Sequence, residues 1–333
     1  MGSIVKFSAV NSKVKTLKGR MLNEEQYNQL LESKDYKSSI RVLKERTEYR
    51  GLLSKYDLDK IHRGDLEVIL NRQYTSIYNK FIKYFNGEYR KFIRLLYLRW
   101  EIEDLKIIIR CKYIGRSKEE IKESLIAQNP LNTLDYSYLI DAKSLEDLSD
   151  RLKGSIYYDS IKNHIKDISH KGLFRIETEL DFVYFQSIKK ELKNLDKENS
   201  KVIDEITGLE IDLINLSWMY RGRNFFRIVP EELFNYTIYD GYKLSKENIK
   251  KLCYAKDNEE FRRIIDKTSY SYIYQEDNTS VIEKREREYQ KRYFSKLLKQ
   301  NKMDFSVFMS YLILYRIEIR NIISIVEQKR YSL

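Results

Sequence analysis

The feature that most constrains this 333-residue chain is an internal repeat. Three segments read as helix starts: Leu22-Asn23-Glu24-Glu25-Gln26-Tyr27, Ile140-Asp141-Ala142-Lys143-Ser144-Leu145 and Leu244-Ser245-Lys246-Glu247-Asn248-Ile249. In each, Asn23, Asp141 or Ser245 brings a side-chain oxygen that can accept from a free N–H at a helix N-terminus. An apolar residue precedes the cap and another stands at the fourth helical position, the pattern of a hydrophobic staple. A second landmark follows downstream. Leu98-Arg99-Trp100-Glu101-Ile102-Glu103-Asp104-Leu105 has a counterpart in Leu216-Ser217-Trp218-Met219-Tyr220-Arg221-Gly222-Arg223-Asn224, and a weaker echo in Leu314-Tyr315-Arg316-Ile317-Glu318-Ile319-Arg320-Asn321. From staple to landmark the spacing is 78, 78 and 72 residues (22 to 100, 140 to 218, 244 to 316). Between the two, each copy holds a tyrosine link, at Tyr49, Tyr157-Tyr158 and Tyr270 to Tyr274. A helix then opens near Leu66-Glu67, Ile176-Glu177 and Ile282-Glu283.

A repeat of this length is one supersecondary unit that buries its apolar face against its neighbours. The units read as helices. Glycine occurs 11 times and proline twice, where average usage would put roughly 23 and 17. Both break helices, so their scarcity predicts long helices and short connections. From Val281 to Lys299, Ile282, Tyr289, Tyr293 and Leu297 recur on one face with charged residues opposite. Ser117-Lys118-Glu119-Glu120 has the form of a capping box, and Pro230-Glu231-Glu232 that of a helix opening on proline. No sustained period-2 alternation marks a strand. The expected fold is all-α: a basic N-terminal segment over 1–18, helical lobes over 19–116, 139–229 and 230–333, and a connection over 117–138. Whether the lobes form a line or a ring is open at this level.

The chemistry of catalysis is nearly absent from the residues. There is no GxxxxGK[ST] loop or GxGxxG turn to cradle a nucleotide, and no GxSxG elbow. His62, His164 and His170 lack metal-ligand spacing, and the two cysteines, Cys111 and Cys253, make neither a zinc site nor a disulfide framework. No catalytic residue, cofactor or metal is expected. The most apolar stretch, Phe305 to Tyr315, is half the length a membrane span needs, and the N-terminus has no signal-peptide core. These features predict a cytosolic protein with at most peripheral membrane association.

The charged and aromatic residues admit several readings. Glu101 and Asp104 share a helix face and could act as an acid/base pair. Pairing with basic residues such as Arg99, Arg110, Arg221 or Arg223 fits better, because charge recurs at the landmark in every copy without a fixed sign. Trp100 and Trp218 read as core anchors. The 28 tyrosines, interleaved with Lys and Arg, could stack nucleic-acid bases, but frequent Glu and Asp would repel phosphates, and no nucleic-acid partner is expected. Two stretches depart from the mixed charge of the chain, whose net charge is +12. Lys6, Lys13, Lys15, Lys18 and Arg20 stand without an acid, and Arg72, Lys80, Lys83, Arg90, Lys91, Arg94 and Arg99 face Glu88 alone. Lys80, Lys83, Arg90 and Lys91 are the candidate face toward anionic headgroups.

The landmarks carry a family resemblance. Val10-Asn11-Ser12-Lys13-Val14 with Gly19-Arg20-Met21-Leu22, Arg99-Trp100-Glu101-Ile102-Glu103-Asp104-Leu105-Lys106, and Glu318-Ile319-Arg320-Asn321-Ile322-Ile323-Ser324-Ile325-Val326-Glu327 stand in order. They resemble the start, first-repeat end and C-terminal signature of the C subunits of bacterial and archaeal V-type ATPases/ATP synthases, relatives of the eukaryotic d subunits. Gln328 stands where that family usually has glycine. The resemblance implies three similar helical lobes around a pseudo-threefold axis, forming a funnel. It implies a non-catalytic socket, one copy per complex, on the cytoplasmic face of the cell membrane. The socket would seat on the proteolipid ring, receive the central shaft made of the D and F subunits, and pass torque for ATP-coupled proton or sodium transport. The recurring Glu101, Asp104, Arg221, Arg223, Glu318 and Arg320 would then be candidates for the shaft cavity, against a competing role in salt bridges within or between lobes. The alternative is a helical scaffold or RNA-binding protein unrelated to the ATPase.

Overall fold

The computed structural model describes residues 3–58, 60–127, 129–165 and 170–331, and among them it is helical with no strand. The first helix, α1 (Ser3–Lys18), precedes a series that runs three times in the same order. First come α2 (Glu24–Glu32), α3 (Tyr36–Arg46), α4 (Arg50–Leu53), α5 (Arg63–Phe81), a 3-10 turn (Ile82–Tyr84) and α6 (Gly87–Tyr113). After α7 (Lys118–Ser124) follow α8 (Tyr136–Ile140), α9 (Leu145–Arg151), α10 (Tyr158–Lys162), α11 (His170–Glu191), a 3-10 turn (Leu192–Asn194) and α12 (Lys197–Asn224). After α13 (Pro230–Asn235) come α14 (Lys246–Cys253), α15 (Asn258–Ile265), a 3-10 turn (Ser271–Tyr274), α16 (Thr279–Lys299) and α17 (Ser306–Tyr331). Each copy is thus a few short helices followed by two long ones. No described helix is long and apolar enough to cross a membrane.

The caps explain the short helices. Asn23 accepts from the Gln26 N–H at 2.9 Å while Gln26 accepts from the Asn23 N–H at 3.1 Å, a reciprocal capping box. Ser245 caps α14, accepting from the Asn248 N–H at 3.2 Å. The second copy departs from expectation. Asp141 is the C-terminal cap residue of α8, not an N-cap, and it pairs with Lys118 at 2.5 Å. The N-cap equivalent to Asn23 and Ser245 is Asp135, which accepts from the Tyr138 N–H at 3.1 Å with Leu134 and Leu139 on either side. Ser144 caps the next helix. Two caps lie close together here, and spacing alone favours the wrong one. The tyrosine link is as expected: Tyr49, Tyr157 and Tyr270 each stand at the N-terminal cap of the third short element, and all three are buried. Pro230 opens α13.

The chain divides into two compact units. The first comprises Met1–Ile107, Glu119–Thr133 and Phe294–Leu333. Its centre is the last long helix: α17 packs on α1, α3 and α5, elements from the opposite end of the chain. Phe305 and Phe308 enter an aromatic cluster with Phe7, Phe81, Phe85 and Phe92, with ring centroids 4.8–6.4 Å apart. Each such fully buried ring contributes about 1.5–3 kcal/mol. Trp100 is buried as a core anchor, 4.9 Å from the Tyr74 ring, and the Tyr74 hydroxyl donates to the Leu312 carbonyl at 2.9 Å.

The second unit comprises Ile108–Lys118 and Leu134–Tyr293. Its spine is α12, packed on α11, α13 and α14. Two glycines let the backbone leading into α14 lie against this spine. A Cβ at Gly208 would stand 2.9 Å from the Tyr242 nitrogen, and one at Gly241 1.9 Å from Asp212 Oδ1. Gly208→Ala and Gly241→Ala should each cost about 1–3 kcal/mol of stability through overpacking. Gly51→Ala, where an added methyl meets nothing within 4 Å, should stay within about 1 kcal/mol of the parent. Urea unfolding of the three variants separates these outcomes.

Candidate functional site

Glu101, Asp212 and Glu318 occupy the same place in the long closing helix of each copy, and all three are buried, at 0%, 0% and 2% exposure. Each holds the backbone that leads into a first short helix. Glu101 accepts from both the N–H and the hydroxyl of Thr133, just ahead of α8, the hydroxyl at 2.6 Å. Asp212 accepts through one oxygen from the Tyr242, Lys243 and Leu244 N–H groups at 3.2, 2.6 and 3.1 Å, just ahead of α14. Glu318 accepts from the Leu22 N–H at 2.8 Å, just ahead of α2. The link tyrosine completes two of the clamps: the Tyr270 hydroxyl donates to Asp212 at 2.6 Å and the Tyr49 hydroxyl to Glu318 at 2.8 Å.

A second polar residue one turn on repeats the device. Asp104 accepts from the Ile126 and Ala127 N–H groups at 2.7 and 2.8 Å. Asn215 accepts from the Ile238 N–H and donates to the Ile238 carbonyl, both at 2.8 Å. The repeat landmark is therefore Glu101-x-x-Asp104, Asp212-x-x-Asn215 and Glu318-x-x-Asn321. In this register Trp100 corresponds to Ile211, not to Trp218 seven residues further on. Seven residues are two helical turns, so matching tryptophan to tryptophan keeps the face but slips the register.

Burial shapes the chemistry of these groups. It pushes the Asp212 carboxyl above its ordinary value, against the pull of the Tyr270 hydroxyl and three backbone N–H groups. Burial, and then the Glu318 charge, holds the Tyr49 hydroxyl protonated well above the ordinary tyrosine range. Such groups are locked donors and acceptors. Their pairing with fixed backbone donors is suited to holding structure.

A pair of adjoining clefts opens in the first unit. One, about 300 Å³, is floored by Tyr49, Tyr311, Tyr315 and Glu318, walled by Leu17, Met21, Leu52 and Ile77, and rimmed by Arg20, Glu48, Lys55, Gln73 and Lys80. The other, about 360 Å³, is lined by Lys13, Lys80, Lys83 and Tyr84.

The expected site residues separate accordingly. Glu101, Asp104 and Glu318, candidates for a shaft cavity on the sequence, are buried and accept from the chain's own backbone, and Glu318 also lies on the floor of the first cleft. The exposed members of that set are Arg221 and Arg320. Arg223 is half-buried, donating to the Leu252 carbonyl at 2.9 Å beside the Phe261 ring. Of the expected basic face, Lys80 and Lys83 come together, joined by Lys13. Arg90 is exposed outside the cleft lining, and Lys91 pairs with Glu88 at 2.8 Å. The side chains of Lys6 and His170 lie outside the described residues. No group of three or more His, Cys, Asp or Glu among the described residues could hold a metal ion. Sequence reasoning misses Asp212; the recurrence of an acid three residues before Asp or Asn is the signal that would find it.

Removing a clamp should be costly. Glu318→Ala strands the Leu22 N–H and the Tyr49 hydroxyl and should cost about 2–4 kcal/mol, while Tyr49→Phe should cost about 1 kcal/mol. Chemical denaturation measures both, and equal effects would mean that the backbone contact contributes nothing. Asp212 adds a pH signature. Its folded-state pKa lies above the unfolded value, so the native state binds the proton more tightly. Its contribution is full below about pH 3.8 and is lost as pH rises through the raised value. Asp212→Asn should abolish that segment of the stability–pH curve.

Known proteins resemble this chain in sequence. The family model described as ATP synthase (C/AC39) subunit matches residues 10–333. The A-type ATP synthase C subunit of Methanococcoides burtonii is 28% identical over 286 residues, covering 84% of this chain and 75% of the relative. The proteins of the same name from Methanosphaera stadtmanae and Methanosarcina mazei are 22% and 26% identical, covering 79% and 78% of this chain and 66% and 69% of their own lengths. The family match runs from the middle of α1 to the last residue and takes in all three copies of the clamp: the chain belongs to the ATP synthase (C/AC39) subunit family.

Proposed function

We propose that the chain is a non-catalytic coupling subunit in the central stalk of a rotary ATP synthase, a socket between the proteolipid ring and the shaft made of the D and F subunits. The observation that carries this reading is the family match over residues 10–333. The clamps support it. A part that transmits torque must not shear between its helices, and a buried carboxylate bound to several backbone N–H groups ties each junction at its least regular point. The proposal includes three lobes, over 19–116, 139–229 and 230–333, around a pseudo-threefold axis as a funnel, peripheral to the cytoplasmic face of the membrane. Arg221 and Arg320, the exposed members of the recurring charged set, are the candidates for contact with the shaft.

The test is affinity capture of the tagged chain from gently solubilised native membranes, with mass spectrometry of what copurifies. Recovery of the proteolipid ring with the D and F subunits, and ATPase activity in the assembly but not in the chain alone, is the expected result. Recovery of nucleic acid or an unrelated soluble partner in their place would overturn it. Arg221→Ala should leave stability within about 0.5 kcal/mol of the parent and reduce shaft binding, and Arg320→Ala should reduce shaft binding in the correctly folded fraction. Unchanged shaft binding would remove both residues from the interface.

A further inference from the structure

The two clefts of the first unit meet at Lys80, which lines both. Lys13 from α1, Lys80 from the end of α5, and Lys83 from the following 3-10 turn converge on the second cleft with the partly exposed ring of Tyr84. Among the described residues no carboxylate pairs with Lys13, Lys80 or Lys83. Lys80 is exposed as a residue, but its ammonium is partly buried in the cleft. That burial, and then the charges of Lys13 and Arg20, pushes it below the ordinary lysine range. The acid on the rim is Glu48, 4.0 Å from Arg20 in the neighbouring cleft.

That neighbouring cleft carries a second, independent sign of a ligand. Tyr311 is 2% exposed, with its ring stacked on Tyr315 at 6.0 Å and 7°. It lines the cleft, and its hydroxyl meets no hydrogen-bond partner among the described residues, while the hydroxyl of Tyr49 in the same lining is bound to Glu318. The residue is buried but its hydroxyl oxygen reaches the open cleft, where it is placed to donate to an acceptor on a ligand. The walls of Leu17, Met21, Leu52 and Ile77 are apolar, and a volume of about 300 Å³ is at the lower end of small-molecule sites.

We propose that the joined clefts bind a phosphate monoester, with the phosphate among Lys13, Lys80 and Lys83 and the organic part over Tyr311. The reason for a phosphate rather than a carboxylate is charge density. A monoester carries nearly two negative charges on three acceptor oxygens at neutral pH, and three ammonium groups converging on one small cleft are matched by a compact dianion. A soluble phosphate ester and the headgroup of phosphatidic acid share this chemistry. The proposal concerns the first unit alone and stands apart from the coupling reading.

The test uses the isolated full chain with two probes. Glycerol 3-phosphate is titrated calorimetrically, and sedimentation is followed with phosphatidylcholine vesicles made with or without phosphatidic acid. Binding of glycerol 3-phosphate assigns a soluble ligand; binding only to the phosphatidic acid vesicles assigns the lipid. In either case Lys80→Gln and Lys83→Gln should each weaken binding about tenfold, and Tyr311→Phe, which removes only the open hydroxyl, severalfold. Lys251→Gln, in the second unit, where the lysine pairs with Glu247, should leave binding unchanged. The proposal is overturned if neither probe binds, if binding is indifferent to Lys80 and Lys83, or if a polyglutamate peptide binds while both phosphate probes do not.

Discussion

The architecture depends on a carboxylate that accepts from backbone N–H groups outside its own helix. A segment running between helices has no intrahelical partner for its N–H groups, and buried backbone donors must find acceptors. Here the acceptor is a side chain on the long helix already buried at the centre of the unit. Glu101 takes Thr133, Asp212 takes residues 242–244, and Glu318 takes Leu22. Burying a charge is expensive unless several donors replace its water. At Asp212 four donors converge on Oδ2 while Oδ1 has no hydrogen-bond partner among the described residues, and burial still raises its pKa.

The unusual abundance of tyrosine is explained by the same demand. A tyrosine brings a large apolar ring and one donor, so it can fill a core and still reach a buried carboxylate. Tyr49 and Tyr270 do this at matching points of two copies, and Tyr74 and Tyr97 similarly reach carbonyls of Leu312 and Ala127 at 2.9 Å each. The glycines are used with equal economy. Gly115, at φ 76°, ends α6 with the Arg116 N–H returning to the Cys111 carbonyl at 2.9 Å, a turn that a side chain at that position would strain.

Much of the fold is legible in the sequence, because the signals are local. Asn23 and Ser245 mark helix starts through bonds within one turn and Pro230 through its fixed backbone angle at the first turn; over 281–299 the pattern finds a helix, but the buried line runs through Ile282, Gln290, Phe294 and Leu298, with Tyr289, Tyr293 and Leu297 half-buried beside it. The second copy misleads because Asp135, Asp141 and Ser144 are all competent caps, and only packing chooses among them. The site is less legible. Glu101 and Asp104 stand out as charged and paired on one face, but nothing in a single chain tells whether a carboxylate faces an arginine, a cavity or a neighbouring backbone. Lys80 and Lys83 are visible as a basic stretch, while their meeting with Lys13, far away in sequence, is a product of the packing of α1 and α5 on α17.

The long-range packing of α17 has a temporal consequence. The second unit is built almost wholly from residues 134–293 and is complete in the chain before α17 has been made. The first unit waits: α1, α3 and α5 lack the helix that covers them, and the Leu22 N–H lacks its acceptor, until residues 306–331 leave the ribosome. At about 5–20 residues per second that interval is many seconds, during which the oldest part of the chain is the last to close. Until then every residue of the second unit is already in the chain, while the first unit still lacks the helix at its centre.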